Sequence, residues 1–526
     1  MSLAVATDMV ATAYATTLVG LDARLVRVEV ACERGPGWFE MVGLADGAVR
    51  ESRVRVNAAL GQLGILMGEH RIIVNLAPAD LRKSGTAFDV AIAVATLAAL
   101  GKIPEHALAE TVVLGELSLT GAIRPIRGVI AHLTGARALG CKRAIVPRDN
   151  GREAGVAQGI ETHLADRLDQ IQAHLSGGAP LSIAPPTSLM GPPESSLDLA
   201  DVRGQFGGRR AIEIAAAGGH NLLLVGPPGG GKTMLARRLP TILPPLRFDE
   251  ALSVTMIHSV AGLLTADSGL IGSRPFRSPH HSVSDAGLVG GGNPARPGEV
   301  SLAHHGVLFL DEIPEFRRAT LESLRQPLED GEVTIVRARS RATFPARPIV
   351  VAAANPCPCG FSGDPSGRCR CNDDRMQAYR ARLSGPLLDR IDLHVLLPPV
   401  DVGSLASCAD GESSAKVARR VAAARGVQLE RLRQGTARVG VNAELSSRDL
   451  ERFAKPDAAG MRVIVGAVER LGLSARAYAK VLKVARTIAD LEGTTGVRSP
   501  HVAEAVQARV FDKNLQGASS HPLLSH

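Results

Sequence analysis

Leu222-Leu223-Leu224-Val225-Gly226-Pro227-Pro228-Gly229-Gly230-Gly231-Lys232-Thr233, followed by Met234-Leu235-Ala236-Arg237-Arg238, is the stretch that decides the fold class. Four consecutive aliphatic residues read as a buried strand, the Gly/Pro run as a turn, and the residues after Thr233 as a helix. Glycines at 226, 229, 230 and 231, with Pro227 and Pro228 between them, let backbone N–H groups turn inward around phosphate oxygens. The helix N-terminus adds positive potential. Lys232 is expected to reach the β- and γ-phosphates of a nucleoside triphosphate, and the Thr233 hydroxyl to hold Mg²⁺. The core is therefore expected to be α/β, with a nucleoside triphosphate and Mg²⁺ as its ligands.

Two further strand ends carry matching chemistry. Val307-Leu308-Phe309-Leu310 runs into Asp311 and Glu312. Asp311 suits the Mg²⁺ shell and Glu312 the orientation and deprotonation of an attacking water, because phosphoryl transfer depends on positioning and charge neutralisation. Ile349-Val350-Val351-Ala352-Ala353-Ala354 ends in Asn355, whose amide can orient that water against the γ-phosphate. Leu387-Leu388-Asp389-Arg390 places an arginine near the end of the core, where a neighbouring subunit could receive it as a finger.

Around this core the 526 residues leave room for about three domains. Residues 1–176 alternate strand-like runs with helical stretches such as Asp89 to Leu100, and residues 177–199 are a Pro/Gly/Ser-rich linker. Residues 200–400 show the β/α alternation of a parallel sheet covered by helices, and 401–526 is helical. No window approaches the ~18 uncharged apolar residues of a membrane span. The N-terminus lacks a basic n-region. With seven cysteines, four of them clustered, a reducing cytoplasmic setting and no membrane partner are expected. The net charge of +8 favours a polyanionic partner such as nucleic acid.

In this order the phosphate loop, the Asp-Glu strand, the sensor asparagine and the Leu-Leu-Asp-Arg run resemble an AAA+ ATPase. Arg274-Pro275-Phe276-Arg277-Ser278-Pro279-His280-His281, Gly298 to Gly306, Ser384 to Arg390 and Val484 to Leu491 narrow the resemblance to the magnesium-chelatase-like YifB/ComM family. It covers nearly the whole chain. It implies a P-loop AAA+ core, a C-terminal helical lid, a hexameric ring with ATP sites between subunits, Arg390 as the trans finger and Arg476 as the sensor-2 arginine. Arg486, on the same expected helix, competes with Arg476 for that role.

Residues 1–176 resemble the Lon protease domain, an α/β fold of the ribosomal S5 domain 2 type, through Gly115 to Gly121 and Arg124 to Gly128. That family uses a Ser–Lys dyad. Aligned on Lys83-Ser84-Gly85-Thr86-Ala87-Phe88-Asp89, the nucleophile position is Ala87 and the lysine position Ile130, so peptide hydrolysis is not expected. The domain reads as a scaffold for the ring or for a partner.

Cys357-Pro358-Cys359 and Cys369-Arg370-Cys371 follow Asn355. In extended backbone residues i and i+2 point the same way, so each pair can offer two thiolates, and four suit tetrahedral Zn²⁺. Reduced thiols in an ordered loop are the alternative. The pairs His280/His281 and His304/His305 lack metal-ligand spacing, and packing is expected of them. Asp330 to Thr343 reads as a β-hairpin with Arg337, Arg339 and Arg341 on one face by strand alternation, able to grip DNA phosphates in a ring pore. A charged, protective edge strand is the other reading. The helix from Ser414, with Arg419, Arg420, Arg425, Arg431 and Arg433, offers a second basic surface or an ordinary lid helix. The family resemblance implies an ATP-driven motor on single-stranded or branched DNA, of helicase or branch-migration type. The alternative is a remodeller of a protein partner.

Overall fold

Apolar residues at every second position drive the first element, a long antiparallel hairpin of Met9–Val19 and Asp22–Arg34. Val26, Val28 and Val30 are wholly buried. A computed structural model describes residues 9–187, 196–337, 340–363, 367–383, 385–399 and 411–509. The hairpin lies inside an eight-stranded mixed sheet. Across it the strands run Ser182–Ile183, Glu161–Ala165, Arg143–Pro147, Thr111–Val113, Met9–Val19, Asp22–Arg34, His70–Ala77 and Trp38–Val42. The helix Asp89–Ala99 is buried along its whole length against this sheet, as its almost unbroken apolar sequence requires. The stretch expected as linker begins as an edge strand, since Ser182 and Ile183 pair with Leu164 and His163. Residues 188–195 of that stretch lie outside the described residues, as do 400–410 and 510–526 of the helical region.

A second sheet holds the phosphate loop. It has five strands in the order Phe276–Arg277, Val307–Leu310, Ile349–Ala354, Leu222–Val225 and Leu393–Leu396. All four pairings are parallel. Parallel strands buried on both faces read as continuous aliphatic runs, which is why these segments do not alternate.

The C-terminal region is a cluster of helices, Ser414–Arg433, Ser447–Phe453, Ala458–Leu471, Ala475–Leu491 and Ser499–Gln507. Tyr478, Val481, Leu482, Ala485 and Ile488 face one hydrophobic core shared with the core helix Phe206–Gly218. No described helix is long and apolar enough to cross a membrane.

The first sheet unit docks on the core in two places. Ile130 is fully buried in a cluster with Leu246, Ala251, Val254 and Leu270. Full burial of such a side chain contributes about 1.5–3 kcal/mol. At the tip of the first hairpin, Gly20 has φ +69°, and a Cβ there would stand 2.9 Å from the Thr343 carbonyl oxygen. Only glycine lets the two backbones approach so closely.

Candidate nucleotide site at the carboxyl edge of the core sheet

Because the core strands are parallel, three chemical strand ends meet at one edge. The register sets Val225 beside Ala354 and Leu310 beside Ala352, so Gly226, Asn355 and Asp311 emerge together. The Gly226 N–H donates to the Ala354 carbonyl at 3.2 Å. Gly229 and Gly231 adopt φ of +75° and +83°, a region closed to most side chains. The helix Lys232–Ile242 then starts with no side-chain cap, which leaves its first N–H groups for a ligand.

The side chains complete the cradle. Lys232 Nζ donates to the carbonyls of Gly226 (2.7 Å) and Pro227 (3.0 Å) and to Asn355 Oδ1 (3.0 Å). Burial pulls its pKa below the ordinary lysine value, while the charges of Asp311 and Glu312 oppose that shift. The Thr233 hydroxyl donates to Asp311 Oδ2 at 2.9 Å, so hydroxyl and carboxylate converge where Mg²⁺ needs one of each and otherwise keeps water and phosphate oxygens. The Glu312 N–H donates back to Asp311 Oδ1 at 3.0 Å, and Glu312 itself has φ +50°. A left-handed non-glycine residue costs of order 1–3 kcal/mol and is retained where geometry serves a site. Donor set, glycine conformations and carboxylates all fit a Mg²⁺-bound nucleoside triphosphate.

Arg390 and Arg476 lie elsewhere. The Asn221 side-chain amide donates to the Arg390 carbonyl at 3.2 Å, which places Arg390 at the amino edge of the sheet. The four-residue strand Leu222–Val225 separates Asn221 from Gly226, five steps or roughly 16 Å. Arg390 pairs with Glu329 at 2.6 Å, and Arg476 approaches the same carboxylate at 4.0 Å. Both arginines therefore face away from their own chain's phosphate loop. Arg486 is fully buried, bound to the carbonyls of Phe453, Thr494 and Thr495 and paired with Asp490 at 2.9 Å. It is a structural residue.

Sequence reasoning missed the buried network behind these arginines. Asp392 is 5% exposed and is held by Lys480 at 2.7 Å, by His220 at 3.5 Å and by the Asn221 N–H at 3.0 Å. Lys480 and His220 keep its carboxyl far below the usual range against strong desolvation. The pair ties the Arg390 segment to the helix Ala475–Leu491 that carries Arg476. Gln205 was also missed. It caps the helix Phe206–Gly218 with φ +51° beside Gly231, its Nε2 donates to the Pro398 carbonyl at 2.7 Å, and its buried Oε1 has no hydrogen-bond partner among the described residues. Such an acceptor can meet an amino or hydroxyl donor of a nucleotide but not its phosphates. The Gly-Gln pair before the helix was its only sequence signal.

The basic hairpin forms, but its arginines are not on one face. Glu332–Arg337 pairs with Ser340–Pro345 in a register that sets Val336 opposite Arg341 and Arg337 opposite Ser340. Directly paired residues share a face and neighbours alternate, so Arg337 and Arg341 project from opposite faces. Alternation holds along each strand but does not carry over from one antiparallel strand to the next, so Arg337 and Arg341 do not share a face. Arg339 lies outside the described residues. On the helix Ser414–Arg433, Arg420 pairs with Glu213 and Glu412, Arg431 with Asp490, and Arg425 donates to the Ala216 carbonyl. Of these five arginines Arg419 and Arg433 are exposed, Arg433 lying 3.9 Å from Glu430, so the lid-helix reading fits.

The four thiols come together: Cys357, Cys359, Cys369 and Cys371 have sulfurs all within 4.8 Å of one another. The histidine pairs do not. His304 and His305 stack at 3.9 Å, with His304 Nδ1 accepting the Arg347 N–H, while His280 and His281 stack at 4.0 Å. In the first sheet unit Ala87 is buried, and Lys83 is spent on the Pro78 carbonyl.

Comparison with known proteins identifies the family. Residues 28–150 match the family described as subunit ChlI of Mg-chelatase, 198–405 match magnesium chelatase, subunit ChlI, and 411–509 match its C-terminal region. An uncharacterized protein of Mycobacterium tuberculosis is 46% identical over 94% of this chain and 98% of its own. YifB of Escherichia coli is 43% identical over 94% and 96%, and competence protein ComM of Haemophilus influenzae 41% over 96% and 99%. A Lon protease of Koribacter versatilis is 30% identical over 27% of this chain and 19% of its own. A phosphate loop, an Asp-Glu strand end and a sensor asparagine at one sheet edge, with near full-length relatives of this kind, place the chain among the magnesium-chelatase-like AAA+ ATPases of the YifB/ComM family.

Proposed function

We propose that the protein is an ATP-hydrolysing ring motor that remodels single-stranded or branched DNA in the cytoplasm, as a homo-oligomer whose hexameric size follows the family. The observation that carries this reading is the division of the site. The phosphate loop occupies the carboxyl edge of the core sheet, while Arg390 and Arg476 occupy the amino edge beside Glu329. A subunit packed head to tail on the next delivers these arginines to its neighbour's nucleotide, and such heterologous contacts close into rings.

Within that composite site each residue has a task. Lys232, already partly desolvated, holds the phosphate oxygens. Thr233 and Asp311 hold Mg²⁺, which when bound neutralises charge on the β- and γ-phosphates. Glu312 orients the attacking water and takes its proton, and Asn355, hydrogen-bonded to Lys232, fixes that water against the γ-phosphate. Arg390 of the neighbouring copy meets charge developing in the transition state. We assign Zn²⁺ to the four thiolates. With Ala87 and Ile130 at the dyad positions, the first sheet unit has no peptidase role and serves as scaffold.

Support for DNA comes from the net charge of +8, from the basic hairpin and from the name of a relative, competence protein ComM. A second reading, a polypeptide in the pore, is favoured by Val336, 69% exposed on the same hairpin face as Arg341. ATPase rate measured with and without forked DNA over a salt series separates the two. Stimulation that fades with salt is expected for DNA. An unchanged rate with no salt-sensitive binding would leave the polypeptide reading.

A further inference from the structure

The four-thiolate cluster is built into the hydrolytic machinery. Sulfur separations are 3.3 Å for Cys357–Cys359, 3.8 Å for Cys357–Cys369 and 3.7 Å for Cys359–Cys369. Tetrahedral Zn²⁺ with Zn–S bonds of ~2.3 Å has sulfur–sulfur edges of about 3.8 Å. Two of these three edges match that value, and Cys371 Sγ lies within 4.8 Å of the other three sulfurs. The Ser362 N–H donates to Cys357 Sγ at 3.3 Å, and backbone N–H groups of Phe361 and Arg370 point at Cys359 Sγ. Such outer hydrogen bonds orient thiolate ligands and offset their charge.

Three connections run from the cluster to the nucleotide site. Cys357, fully buried, is two residues beyond Asn355, whose Oδ1 accepts from Lys232. Gly360, with φ +85°, lies so tightly on the phosphate loop that a Cβ there would be 2.5 Å from Pro228 Cδ. After Cys371 the chain enters the helix Asp373–Arg380, capped by Asn372, and its Tyr379 hydroxyl faces the Asn355 backbone. Asn355 is therefore bonded to the phosphate-loop lysine and faces the helix that follows the cysteines, while Gly360 touches the phosphate loop.

We propose that Zn²⁺ held by Cys357, Cys359, Cys369 and Cys371 is the brace that aims Asn355 and seats Gly360 on Pro228, so that metal occupancy sets the hydrolysis step. The hydrolysis arm rests on the ATPase reading above; metal binding and bracing do not. Without the ion four thiols have no reason to stay at tetrahedral spacing, and the segment joining Asn355 to Tyr379 loosens. Nucleotide binding, which relies on the loop N–H groups and Lys232, is affected far less than turnover.

The test uses the full-length protein. Elemental analysis of the purified protein is expected to give one zinc per chain, and the Cys369→Ser/Cys371→Ser variant none. A chelator-stripped sample is expected to keep its affinity for a fluorescent ATP analogue within about twofold and lose about tenfold in kcat, with Zn²⁺ restoring wild type and not the variant. Hydrogen–deuterium exchange at residues 226–233 and 355–360 is expected to slow with zinc. Gly360→Ala, which keeps every cysteine, should retain zinc yet turn over more slowly, and it stands in if the double variant fails to fold. Metal-free protein with full activity would overturn the proposal. So would bound zinc whose removal changes neither exchange nor kcat. A protein that binds zinc and shows zinc-dependent exchange but hydrolyses no ATP would sink the ATPase reading and leave the brace standing.

Discussion

His132 lies inside the first sheet unit with its Nδ1 2.7 Å from Thr16 Oγ1, and burial pulls its pKa from 6.5 to about 4. Desolvation likewise takes His305 to about 4 and His304 to about 2. The unfolded chain binds these protons near pH ~6.5, whereas the fold refuses them until much lower pH. The stabilisation is therefore complete above the unfolded value and is lost as pH falls towards the folded one. At pH ~5 a fully buried imidazole of this kind forfeits about 2 kcal/mol. The melting temperature is expected to drop between pH 7 and 5, and His132→Gln to flatten that slope. A slope unchanged in the variant would mean that His132 gains its proton without cost to the fold. At this scale the sequence was informative where a role is local. Lys232, Thr233, Asp311 and Asn355 each follow directly from a strand or loop end. Gln205 and Asp392 were opaque, because their partners are supplied by tertiary packing, as with Lys480, 88 positions from Asp392.

The hairpin of Glu332–Arg337 and Ser340–Pro345 is the element that carries the choice of substrate. Arg337 lies towards Gly291, on the face whose Ile335 packs into the core, whereas Arg341 shares its face with exposed Val336. Arg341→Glu is therefore expected to remove most DNA stimulation and about one unit from the slope of log affinity against log salt. Arg337→Glu should remove much less. Equal effects of the two reversals would contradict the register-based assignment of faces. The existence of the hairpin was legible from its alternation and turn. Its facing was not, since the pairing register of the two strands decides it. Strand order in the core sheet was also beyond the sequence; Arg390 emerges opposite Gly226 because it precedes a strand that runs parallel to the one Gly226 follows.

At the scale of the molecule, a buried ion pair makes one unit of the Arg390 segment and the lid helix with Arg476, while the phosphate loop, Glu312 and Asn355 form another at the far edge of the sheet. The first sheet unit is fixed to the core through Ile130, which packs among Leu246, Ala251, Val254 and Leu270. ATP between two subunits would join these units across an interface, and its hydrolysis would move one subunit against the next. Complementation tests this most directly. Lys232→Ala lacks a working loop but retains Arg390, and Arg390→Ala is the converse. Each alone is expected to be inactive, and an equal mixture to recover roughly a quarter of wild-type ATPase through interfaces that pair an intact loop with an intact arginine. A mixture as inactive as its parts, or Arg390→Ala protein turning over at the wild-type rate by itself, would contradict a site shared between subunits.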